Sequence, residues 1–165
     1  MKRLLICLYL ALATAPSAAE EWGSTGLWKI LLRDGPVNTC YAMRQLPDES
    51  IVEIGFARER GRGYFAIYNA AWTHLEDGRK GVVEFDFGNA RFAGETVGRI
   101  ENGFPGGYAA FNNPAFVDAF ARGRSVKIIG TEGAEFELDL TGTHRAIAEI
   151  RTCAAAQGDR PKQQK

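Results

Sequence analysis

The chain has 165 residues, 20 basic and 20 acidic side chains, a formal net charge of zero and a 45% hydrophobic composition. That balance excludes a surface that attracts nucleic acid or an anionic membrane by charge alone. It leaves enough apolar side chains to bury the core of an ordinary domain.

The chain begins Met1-Lys2-Arg3, continues through an apolar run over residues 4–13 and reaches Thr14-Ala15-Pro16-Ser17-Ala18-Ala19. A basic start, an apolar stretch and small residues before a cut are the three parts of a secretory signal peptide, with cleavage expected after Ala19. The apolar run is shorter than the roughly 20 residues that cross a hydrocarbon core, so no stable membrane span is expected here, and no later segment is long and apolar enough to provide one. Cys7 lies inside the run, after Leu5-Ile6 and not after the small residues that a lipidation site requires. The expected organisation is residues 1–19 as signal peptide, 20–157 as a single domain and 158–165 as a disordered tail. The last segment has no apolar residue apart from Pro161 with which to offset its ordering entropy.

Cleavage would remove Lys2, Arg3 and Cys7, leaving a slightly acidic chain whose remaining cysteines, Cys40 and Cys153, admit one pairing. In a periplasmic or secreted protein two remaining thiols ordinarily join. Neither has a His or Cys neighbour at metal-ligand spacing. A disulfide is therefore expected.

Short apolar runs follow one another between turn signals: residues 28–33, 39–45, 51–58, 64–69, 82–87, 90–95, 125–130 and 135–140. The breaks include Asp34-Gly35-Pro36, Pro47-Asp48-Glu49-Ser50, Gly61-Arg62-Gly63, Glu76-Asp77-Gly78 and Gly88-Asn89, which supply the backbone angles of tight turns. The rhythm predicts antiparallel hairpins. Within the fifth of these runs Val83, Phe85 and Phe87 alternate with Glu84 and Asp86, and in the last Phe136, Leu138 and Leu140 alternate with polar residues, so the apolar sets face a core.

Two segments have helical spacing. Asn113-Pro114 is a helix start, Phe116, Val117 and Phe120 form one stripe, Asp118 and Arg122 stand four apart on the polar side, and Gly123 ends the segment. The second helix is predicted over residues 143–155, with Ala146, Ile147, Ile150 and Cys153 on a common face. Residues 96–112, interrupted by Gly98, Gly103, Gly106 and Gly107, read as a long loop. The fold class expected is mainly β: a small antiparallel sandwich or barrel with two short helices, one of them C-terminal.

Candidate chemistry is sparse. His74 falls beside Trp72 on a polar stretch, His144 falls at a helix start, and Ser24, Ser50 and Ser125 stand outside any Gly-x-Ser-x-Gly turn. Glu84 and Asp86 share one strand face at a spacing that resembles a glycosidase carboxylate pair, yet alternating acids on a half-buried strand are ordinarily its wet side. Glu135, Glu137 and Asp139 have the same reading. Arg58, Arg60, Arg62 and Gly63 make a small basic turn suited to a phosphate or to solvent. No catalytic residue, cofactor or metal site is expected. Phe104, Tyr108 and Phe111, on the segment read as a Gly-rich loop, are the candidates for anchoring a protein partner.

Trp28-Lys29-Ile30, Cys40-Tyr41-Ala42, and Leu138-Asp139-Leu140-Thr141-Gly142 running into Ala146-Ile147-Ala148-Glu149-Ile150 and Cys153 are similar to small exported β-rich proteins of Gram-negative bacteria. More distantly, residues 22–58 and 125–153 resemble the invasion-associated locus B family. The resemblance implies a periplasmic or surface-associated β-rich protein linked to host-cell invasion, with no catalytic residues to carry over. Leu31 and Leu32 stand where that family commonly has a further cysteine, which implies a different disulfide pattern. The leading expectation is a non-enzymatic protein that contacts an envelope or extracellular protein. The alternatives are an inhibitor of an extracytoplasmic hydrolase and a hydrolase using Glu84 and Asp86.

Overall fold

The computed structural model of the protein describes residues 19–33, 39–56 and 62–158. The expected signal peptide up to residue 18, the turn at Asp34-Gly35-Pro36, Arg58 and Arg60 of the basic turn, and the tail beyond Gly158 lie outside the described residues.

Ten strands hydrogen-bond in one antiparallel sheet: β1 (Glu20–Thr25), β2 (Trp28–Arg33), β3 (Thr39–Gln45), β4 (Ile51–Phe56), β5 (Gly63–Tyr68), β6 (Lys80–Asp86), β7 (Arg91–Glu101), β8 (Phe104–Phe111), β9 (Ser125–Ile129) and β10 (Glu135–Asp139). Their order across the sheet is β1-β2-β3-β4-β5-β8-β7-β6-β9-β10. Helix α1 (Pro114–Arg122) joins β8 to β9, and α2 (Thr143–Gly158) follows β10. Among the described residues β1 and β10 remain edges, so the sheet curls into a sandwich-like body without closing into a barrel.

The long strand β7 makes the curl. Its first part pairs with β6, from Asp86↔Arg91 to Lys80↔Val97, and its last part pairs with β8, from Val97↔Tyr108 to Glu101↔Phe104. A strand that passes from one partner to the other turns a corner between two half-sheets. The core fills the space between them: Ile30, Val52, Phe65 and Ile67 from one half meet Val83, Phe85, Val126 and Leu138 from the other, with both helices packed between.

Residues 96–112 are therefore not a loop, and the expectation made for them is corrected. Asn102 and Gly103 both adopt positive φ, 51° and 84°, between the paired residues Glu101 and Phe104. That is the two-residue hairpin turn for which Asn-Gly is the strongest signal. The glycines that suggested irregularity serve close approach instead. A Cβ at Gly98 would collide with the Glu76 carbonyl, and one at Gly106 with the Ile67 carbonyl and the Tyr68 ring. Strand β1 has no counterpart among the predicted strands, because Glu20–Thr25 is exposed or half-buried along its length and has no apolar alternation to read.

Both helices lie where their spacing puts them. The Asn113 side chain accepts from the Ala115 N–H at 3.0 Å, Phe116, Val117 and Phe120 are buried, and Arg122 pairs with Asp118 at 3.1 Å. Gly123 ends α1 in extended backbone, and a Cβ there would press on the Ala119 carbonyl and on Leu140. Helix α2 continues to Gly158, three residues past the expected end, and buries Ala146, Ile147, Ile150 and Cys153.

Three contacts fasten α2 and β10 across the body to the first strands. Cys153 is bonded to Cys40 on β3, with Cα atoms 6.0 Å apart. The indole N–H of the fully buried Trp28 donates to the Thr141 carbonyl at 3.2 Å, and Arg44 on β3 donates to the Asp139 carbonyl at 2.9 Å.

Candidate functional site

Side chains alternate across a strand, so β2 to β5 bury one set in the core and turn the other to the opposite face of the sheet. That outer set is not the polar coat that usually covers a small sandwich. Leu31, Tyr41, Tyr64, Ala66 and Tyr68 form a second buried cluster, with Met43, Ile51, Phe104 and Tyr108 packed against it. Glycines make room for the rings: a Cβ at Gly55, paired with Tyr64, would collide with the Tyr64 ring, as one at Gly106 would with Tyr68.

Glu53 sits at the centre of this face and is only 5% exposed. Arg33 donates to both of its carboxylate oxygens, at 3.1 and 3.3 Å, and the Tyr64 hydroxyl donates to Oε2 at 3.3 Å. The same guanidinium lies 4.6 Å from the centre of the Tyr41 ring and 3.8 Å from Glu101. Tyr64 stacks on Tyr108 at 5.2 Å, and Arg99 covers the Tyr108 ring at 4.3 Å. The result is a continuous sheet of phenols, two arginines and one enclosed carboxylate. Burial raises the Tyr64, Tyr68 and Tyr41 hydroxyls above the usual phenol range, helped by the negative charge of Glu53, so all three stay neutral donors.

Burial also raises the Glu53 carboxyl above its ordinary value of 4.5, against the pull of Arg33. Between 4.5 and the raised value the native protein holds a proton that the unfolded chain has released. The contribution of this group to stability is thus complete below that window and declines as pH rises through it. Urea unfolding of the wild type and of Glu53→Gln across that range should show the stability of the wild type falling relative to the variant and levelling above the window. Parallel pH profiles for the two proteins would show that Glu53 keeps its ordinary pKa when folded.

Of the residues singled out from the sequence as a partner-binding loop, Phe104 and Tyr108 belong to this face, on β8. Phe111 points the other way and packs against the core, its ring 4.6 Å from Phe116. The three do not form one surface. Glu84 and Asp86 do share a face of β6, but Arg91 joins them, at 3.6 and 2.7 Å. The Gly88 backbone N–H, with Arg91, holds the Asp86 carboxyl below its usual range, the reverse of what a proton donor needs. Glu135 pairs with Lys127 at 2.7 Å, and Asp139 accepts from the Thr141 hydroxyl and N–H. His74 and His144 are exposed, and far apart in the chain order of the fold, one before β6 and one in α2. Ser50 is buried and tied to Asp48 and Asn69. No group of three or more His, Cys, Asp or Glu is arranged to hold a metal among the described residues.

Arg33, Glu53, Tyr41, Tyr64 and Tyr68 were not singled out from the sequence. One local signal existed: Glu53 stands alone among Ile51, Val52 and Ile54, where a strand buried on both faces leaves an acid needing a partner.

Fold and face together define a two-layered antiparallel β protein with a disulfide-tethered C-terminal helix and an aromatic, arginine-bearing outer surface. The chain matches no family model, and no curated protein matches it. Among solved structures it is similar to invasion-associated protein B from Bartonella henselae, with a TM-score of 0.55 and 18% identity over 84% of this chain and 99% of that one. At that identity the likeness shows the shared fold.

Proposed function

We propose that this protein is exported, is cleaved after Ala19, and acts as a non-enzymatic binding protein that contacts another envelope or extracellular protein through the tyrosine face. The observation that carries the reading is the outer face itself, where Tyr108 and Arg99 form the accessible edge of a rigid cluster of phenols. Tyrosine and arginine are enriched among the side chains that dominate protein interfaces, tyrosine because it offers large contact area with little rotamer entropy to lose and arginine because its planar fork of donors stacks on rings and bonds in several directions. The fold shared with an invasion-associated protein agrees with such a role, and so does the disulfide, a bond that persists outside the reducing cytoplasm.

Recovery of bound proteins from envelope extract on immobilised wild type, Tyr108→Ala and Arg99→Ala tests the reading. The expected result is a partner retained by the wild type and weakened by about tenfold or more in each variant, the effect of truncating an interface hot spot. Equal retention by all three proteins would exclude this face. Intact mass of the exported product should begin at Glu20, and a product that still carries residue 1 would remove the export step.

A further inference from the structure

The ladder between β7 and β8 stops at Val97↔Tyr108. Beyond that point β7 follows β6 and β8 follows β5, so the two strands diverge like the sides of a wedge. The Thr96 hydroxyl closes the apex by donating to the Tyr108 carbonyl at 3.1 Å. Between the strands lies a cleft of about 470 Å³, with Phe85, Phe92, Phe111 and Phe116 among its lining.

The walls of this cleft are free strand edges. Gly98 donates its N–H to the Arg79 carbonyl and Ile100 donates to the Asp77 carboxylate, both on the side away from β8. Strand alternation then aims the N–H and C=O groups of Arg91, Ala93 and Glu95 into the cleft. On the opposite wall the Pro105 carbonyl accepts from Asn69 on the β5 side, so the backbone of Ala110 faces β7. Among the described residues no strand pairs with these groups. An edge with three successive open donor–acceptor pairs is a template for another strand.

Two features specify what fits. Gly94 faces the apolar floor, and a Cβ added there would meet nothing within 4 Å, so the floor has room for a side chain from outside. Arg91 pairs with both Glu84 and Asp86, Lys127 on β9 stands opposite Asp86 and adds a second cation there, and no ion-pair partner of Glu95 is found among the described residues. Glu95 is therefore the open negative charge of the rim. We infer that the cleft between β7 and β8 binds an extended peptide segment of a partner protein. The segment adds a strand to β7, lays an apolar side chain over Gly94 and sets a basic side chain against Glu95. This site is separate from the tyrosine face and stands or falls without it.

Amide hydrogen exchange on the native protein and selection of linear peptides from a displayed random library test the inference. In the free protein the amides of Ala93, Glu95 and Ala110 should exchange rapidly while those of Phe92 and Gly94, bonded to β6, are protected. The library should yield peptides that alternate apolar and basic residues and that slow exchange at Ala93 and Glu95. Gly94→Leu, which puts a side chain into the open space over Gly94, should weaken those peptides by about tenfold or more, as should N-methylation of their alternate amides, while Arg99→Ala leaves binding unchanged. Protection of Ala93 and Glu95 in the free protein would overturn the inference. So would a selection that enriches no such peptides, or peptides that bind Gly94→Leu or tolerate N-methylation as well as the originals.

Discussion

Replacing Cys40 and Cys153 together by Ala is expected to lower the free energy of unfolding by about 5 kcal/mol, the chain-entropy term for a closed loop of this length. The bond joins residues 113 apart in sequence, so the unfolded chain that it restrains is most of the domain. The native side contributes as well. Both cysteines are buried, at 1% and 0% exposure, and the bond holds the inner face of α2 against β3. Against a total stability of about 5–15 kcal/mol for a domain, the change is large. Urea denaturation of the oxidised wild type and of the double variant measures it. The midpoint should fall, and the slope with denaturant should steepen, because the unlinked unfolded state exposes more surface. An unchanged midpoint would mean that the helix is held by packing alone.

Phe116→Ala is expected to cost about 3–5 kcal/mol, the range for truncating a buried aromatic side chain. Phe116 is the hub of the aromatic core. Its ring centre lies 5.0 Å from Phe85, 5.9 Å from Phe87, 5.4 Å from Phe92, 4.6 Å from Phe111 and 5.9 Å from Phe120. Phe85, Phe92 and Phe111 stand on three different strands held in register by their own ladders, so they cannot move inward to fill the hole. Retained cavity volume is what raises the cost of such a substitution above the transfer free energy of the lost atoms. Phe116→Leu keeps most of the volume and should cost about half as much. Thermal and urea unfolding of the two variants give the comparison, and a loss of less than about 1 kcal/mol for Phe116→Ala would show that the strands around it are not rigid.

The candidate site was partly legible. Tyr108 and Phe104 read from the sequence as aromatics capable of contacting a partner, but the glycines between them read as a loop signal. In the fold those glycines let rings and carbonyls pass close to the backbone, as Gly106 does under Tyr68. Phe111 was grouped with them because it is near in sequence. Its odd sequence offset from both Phe104 and Tyr108 sends it, on a strand, to the opposite face.

Local sequence was enough to determine the Asn113-Pro114 helix start, the buried stripe of α1, the inward set Val83, Phe85 and Phe87, and the helical face that carries Cys153. Each depends on spacing within a few residues and on short-range sterics. The meeting of Glu53 with Arg33, 20 residues away, and with Tyr64 was decided only in the tertiary structure. So were the corner that β7 turns between two half-sheets and the open wedge beside β8. Strand pairing joins residues distant in the chain, and which edges remain unpaired follows from how the whole sheet curves around its core, a property that no short window of residues contains.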